Sequence, residues 1–164
     1  MIRSHDDLRS LYRAMLALGA AGLLILVLGL AVFLRFAPLG QRTGLAARVT
    51  GVYAYDPGRR TITGPPRARF PRTQPFAARV RWAALPGGMA VGATWYDSLQ
   101  EPAGGVGPAP AARLSAGDGL VPERIPPGLH GNLPGTYTLL VLRYADGRPV
   151  EILARTTVVV ERGP

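Results

Sequence analysis

The sequence predicts an all-β domain, a two-sheet sandwich, preceded by one N-terminal transmembrane α-helix. Three observations carry this expectation. An uncharged run of 21 residues, Ala14 to Leu34, lies between Arg13 and Arg35. At about 1.5 Å per helical residue such a run reaches roughly 30 Å, the hydrocarbon depth of a bilayer. Beyond it, apolar residues recur at every second position in several segments, the period of a half-buried strand. Gly and Pro, 21 and 16 of the 164 residues, fall between those segments as turn signals.

The formal charge is +9. Every basic residue is arginine, and there is no cysteine, which excludes disulfides, thiolate metal sites and cysteine nucleophiles. The charge is unevenly placed. Seven arginines (59, 60, 67, 69, 72, 79 and 81) occur without an intervening acid, whereas from Trp82 onward six arginines face seven acids. Such a basic belt suits an acidic protein partner or anionic lipid headgroups, and is also compatible with ordinary solvated surface. Nucleic acid is the least natural partner beside a membrane anchor.

Taken in order, residues 1–13 are a short extramembrane tail. Residues 14–35 are the expected transmembrane helix, continuing too far for a secretory signal and lacking a small-residue cleavage site after it. Ala14, Ala17, Ala21, Gly22 and Gly29 form a small-residue stripe suited to packing against another helix. Arg3, Arg9 and Arg13 balance Arg35, Arg42 and Arg48, so the positive-inside rule gives no orientation. A short tail followed by a folded domain favours the N-terminus inside and the domain outside. Residues 36–47, with Pro38, Gly40 and Gly44, are a juxtamembrane linker.

The sandwich is expected over residues 48–162. LAARVTGVYAYD supplies a first strand, Asp56-Pro57-Gly58 a turn, and RRTITG a short return. Residues 59–75 form a basic, proline-stiffened arm, too rich in proline for a central strand. Within it Phe70 either anchors a partner beside Arg67 and Arg69 or plugs the edge of the domain. Phe76, Ala78, Val80 and Trp82 then alternate with Ala77, Arg79 and Arg81, and Met89, Val91, Ala93 and Trp95 make the next inward row. Residues 98–134 read as loop, with a short strand around Ala112–Leu114. Tyr137, Leu139 and Val141 lie on a central strand. Asp146-Gly147 turns the chain into a final strand over 150–161, whose row with Glu151, Leu153 and Arg155 is the more exposed.

Six to eight strands joined by Gly/Pro turns favour a sandwich over a closed barrel. The segment LPGTYTLLVLRYADG resembles the late strands of bacterial immunoglobulin-like and fibronectin-type modules. The resemblance covers residues 48–162 in layout and 76–96 with 133–160 in pattern. It implies that Tyr137 takes the tyrosine-corner position and Leu139 the later disulfide position. It further implies that Val80 takes the earlier disulfide position and that Trp95 is the core tryptophan. The layout is also similar to single-span accessory subunits of bacterial photosynthetic reaction-centre complexes. That resemblance implies neighbouring pigment or lipid, with no cofactor bound by this chain alone.

The chemistry-bearing residues are sparse. His5 and His130 have no catalytic neighbours in sequence, and Asp97 with Glu101 is a commonplace carboxylate pair. No phosphate-binding loop, nucleophile motif or metal-ligand cluster occurs. The expectation is therefore a non-catalytic accessory subunit organising a multi-subunit membrane complex, single-pass in the bacterial inner membrane with a periplasmic domain. Its expected partners are integral membrane subunits and the bilayer with its anionic headgroups. The alternative is a membrane-tethered binding or assembly factor for an envelope protein.

Overall fold

The computed structural model describes residues 13, 15–27, 29, 42–124 and 131–162. The chain divides into two compact units, Met1–Gly40 and Gln41–Pro164.

The first unit corrects the expectation of a membrane span over 14–35. Its helix, α1, is described at residues 13, 15–27 and 29. Among the described residues no helix is long and apolar enough to cross a membrane. Hydropathy marked the run as apolar, but apolar side chains alone do not make a membrane span. The expected transmembrane anchor, its single-pass inner-membrane placement and its inside-to-outside orientation are corrected accordingly. So are the single-span accessory-subunit function and the likeness to reaction-centre subunits, which rested on the same span. Ala17, Ala21, Gly22 and Gly29 are helical and exposed; Ala14 and the linker residues before Arg42 lie outside the described residues.

The second unit corrects the immunoglobulin-like assignment to a coarser statement: it is a two-sheet, non-barrel all-β domain. Among the described residues its elements are β1 (Arg48–Asp56), β2 (Thr61–Thr63), β3 (Arg69–Phe70), β4 (Phe76–Arg81), β5 (Ala90–Tyr96) and β6 (Pro102–Pro110). There follow a short helix α2 (Ala111–Ser115), β7 (Leu120–Pro122), β8 (Gly135–Ala145) and β9 (Arg148–Val160). One sheet has the order β2-β1-β4-β7 and the other β3-β9-β8-β5-β6. Neighbours are antiparallel except β3 and β9, which run parallel.

The alternation in the sequence explains the core. Phe76, Ala78 and Val80 of β4 meet Trp95 of β5 with Tyr137 and Leu139 of β8, all buried. Phe76 is the hub: its ring stacks on Phe70 at 5.0 Å and takes the edges of Trp95 and Tyr137 at 5.2 and 5.5 Å. Such pairs add about 0.5–1.5 kcal/mol each beyond burial. The indole of Trp95 donates to the Val121 carbonyl at 3.0 Å, joining the two sheets.

Four local expectations also change. PAGGVGPAP, expected as loop, is the edge strand β6, while the expected strand around Ala112–Leu114 is the helix α2. In β9 the register shifts where Ala154 and Ile152 oppose Val141 and Leu142. The shift leaves Leu153 buried and Ile152 exposed. An extra residue in one strand reverses which row faces inward. Finally, the basic arm is not free. The Arg67 amide bonds to the Val52 carbonyl on β1, and Ala68 and Phe70 carbonyls accept from Val159 and Glu161. The arm therefore crosses from the edge of one sheet to the edge of the other.

Candidate functional site

The outward row of β4 builds a basic face on the four-stranded sheet. Since Phe76, Ala78 and Val80 point inward, Arg79 and Arg81 must point out, and both are exposed. Antiparallel pairing places Arg48 of β1 directly opposite Arg81, and Gly51 opposite Arg79, with Leu120 of β7 on the other side of Arg79. Directly opposed residues bring their Cβ atoms to about 5 Å, where like charges are mutually destabilising. Arg48, Arg79 and Arg81 have no ion-pair partner among the described residues.

Tyrosine flanks the arginines. A side chain at Gly51 would come within 3.1 Å of the Tyr53 ring and 2.8 Å of Pro66, so glycine is what lets both lie across this part of β1. Thr50 donates from its hydroxyl to the Arg79 carbonyl at 3.1 Å. The result is a half-exposed surface of arginine, tyrosine and leucine on a rigid sheet. Arginine and tyrosine are enriched at binding hot spots.

A cleft of about 220 Å³ opens beside this face, lined by Thr50, Arg79 to Ala83, Ser115 and Gly117 to Gly119. The turn after α2 forms its far wall and is fixed by the Val80 amide, which donates to the Gly119 carbonyl at 2.8 Å. Gly119 has φ +68°, and a Cβ there would sit 2.6 Å from the Val80 carbonyl.

The remaining belt residues do not join this cluster. Arg59 and Arg60 occupy the β1–β2 turn, where Arg59 lies 3.9 Å from Asp56. Arg67 is exposed on the crossing segment, and Arg69 lies 4.0 Å from Glu161 in solvent. Arg72 is turned inward and donates to the Asn132 carbonyl at 3.1 Å. Phe70 is fully buried, so of its two readings the structure places it as a plug. Val80, Trp82, Trp95, Tyr137 and Leu139 are all buried. Arg48 and Tyr53 were not singled out in the sequence; only the β1–β4 register reveals that they share a face with Arg79 and Arg81.

The sequence also gave no sign of a set of buried polar groups in this unit. Among the described residues, both Glu123 carboxylate oxygens are buried without a hydrogen-bond partner, as is the Asn132 side-chain oxygen. Burial raises the Glu123 pKa to about 7. Tyr137 is raised to about 12, first by burial and then by the Glu123 charge, although its hydroxyl accepts the Leu133 amide at 3.0 Å. Asp97 is a turn-former: its Oδ1 accepts the Leu99 and Glu101 amides at 2.8 and 3.0 Å. Glu151 accepts the Thr43 amide at 2.7 Å and Arg143 Nε at 2.8 Å. Burial works to raise its carboxyl, but these donors outweigh it and hold the carboxyl below its ordinary range.

Among the described residues no group of three or more His, Asp or Glu side chains is arranged to hold a metal ion. No protein-family model matches the chain, and no curated protein matches it.

Proposed function

We propose that the β-domain is a non-catalytic binding module that receives an acidic protein surface on the outer face of its four-stranded sheet. One observation carries the reading: Arg48 and Arg81 stand opposite each other, beside Arg79, with no acid paired to them among the described residues. A fold gains nothing from opposing like charges, so a surface that keeps them is explained by what binds there. A carboxylate-bearing partner supplies the missing counter-charge, and guanidinium forks match carboxylates in a bidentate way. Catalysis has no comparable support, since Asp97 already serves its own turn through Oδ1.

The test compares two double charge reversals of equal net charge, R79E/R81E and R59E/R60E, for binding to a Glu-rich peptide at low salt. The first is expected to lose about tenfold or more in affinity, the second to change within about twofold, with wild-type binding weakening as salt rises. Equal loss in both variants would reduce the effect to net charge. Tighter binding of a single-stranded oligonucleotide than of the peptide would replace the protein partner with nucleic acid.

A further inference from the structure

We infer that the cleft beside Arg79 and Arg81 takes an apolar side chain of the acidic partner, so that the module recognises a hydrophobic residue flanked by carboxylates. This rests on the reading of the basic face just given and adds its specificity. The space, about 220 Å³, equals roughly seven liquid waters at ~30 Å³ each, enough for one leucine or phenylalanine side chain. Its floor and far wall are apolar or small: Trp82, Ala83, Gly117 and Gly119. The Trp82 ring edge lies 4.0 Å from where a Gly119 Cβ would be, so the indole faces that wall.

The polar groups around the opening are already engaged or belong to its rim. Thr50 donates to the Arg79 carbonyl, and Asp118 Oδ1 accepts the Leu120 amide at 2.9 Å. That leaves the exposed Arg79, Arg81 and Ser115 side chains and the second carboxylate oxygen of Asp118 to meet a ligand. A ligand group that enters the cleft therefore gains mainly by leaving water, while carboxylates on either side of it reach the guanidiniums. The turn that forms the wall is held to β4 by the Val80–Gly119 bond, so the cleft is preformed and binding need not order it.

The experiment uses the full chain and two Glu-rich peptides identical except for a central residue, Leu in one and Ser in the other. The Leu peptide is expected to bind about tenfold tighter, the gain from burying one such side chain. Ala83→Phe, at an exposed position in the cleft wall, is expected to erase that preference, so that the Leu and Ser peptides bind this variant with equal affinity. Circular dichroism of this variant establishes that it is folded. Equal affinity for the two peptides, with binding still lost in R79E/R81E, would overturn the apolar anchor and leave the basic face standing. Failure of both peptides to bind would overturn the face itself. Self-association of the chain that competes with the Leu peptide would overturn an acidic partner in favour of a second copy.

Discussion

Glu123 occupies an environment that suits only its neutral form. Its carboxylate oxygens meet no donor among the described residues, and the charge it would carry faces Tyr137, itself under the influence of Asp97. An unfolded glutamate ionises near 4.5, whereas the folded group holds its proton to about 7. Between those values the folded state keeps a proton that the unfolded chain has released. Stability is thus fully present below about pH 4.5, falls as pH rises through 7, and is level above it. One pKa unit corresponds to about 1.4 kcal/mol, so the shift from 4.5 to about 7 corresponds to a loss on the order of 3–4 kcal/mol. Urea unfolding of Glu123→Gln at pH 5 and pH 8 is expected to show little difference between the two, with the variant more stable than wild type at pH 8. A wild type equally stable at both values would contradict the burial of this group. Glu151 acts in the opposite direction: its depressed pKa contributes stability that is lost as pH falls below about 4.5. Phe70 and Arg69 give a second contrast, adjacent in sequence but buried and exposed. Phe70→Ala is expected to cost about 3–5 kcal/mol and Arg69→Ala under ~1 kcal/mol, both read from denaturation midpoints.

At the scale of elements, legibility followed the strength of the local pattern. Strands β4, β5 and β8 carry clear alternation because one face of each packs on a continuous core. The β8–β9 hairpin was equally plain: Asp146 and Gly147 both adopt positive φ, 51° and 72°, as that turn requires. Strand β6 was hidden because its glycines and prolines imitate a loop. Its glycine at 105 answers to close backbone approach, since φ is +148° and a Cβ would lie 2.1 Å from the Ala93 carbonyl. Gly107, by contrast, faces open space. Gly105→Ala is therefore expected to destabilise by ~3 kcal/mol or more and Gly107→Ala by ~0.5 kcal/mol or less, measured by thermal unfolding. Similar costs for both would show that β6 is not tightly paired. The two-residue β3 carries no period at all, and its place is fixed by Phe70 entering the core. The Leu153 reversal in β9 was equally illegible, because a bulge leaves the composition of a strand unchanged while swapping its faces.

For the whole molecule, the contrast between the two units matters most. Length and hydropathy alone made residues 14–34 look like a span; among the described residues no helix is long and apolar enough to cross a membrane. The β-domain was legible as a class, yet its candidate site was only half visible. Arg79 and Arg81 stood out as the outward row of a strand. Arg48 belongs with them through a register between β1 and β4, and such pairing is set by long-range packing rather than by local sequence. The basic belt correspondingly divides into arginines that bond to neighbours, arginines in the β1–β2 turn, Arg67 on the crossing segment, and this one face. Mapping backbone amide chemical shifts of the full chain on titration with a Glu-rich peptide tests the binding face most directly. Perturbations are expected on Arg48 to Tyr53, Arg79 to Arg81 and Leu120, fading as salt is raised. Perturbations confined to the outer face of β5, β8 and β9, with the β1–β4 arginines silent, would contradict it.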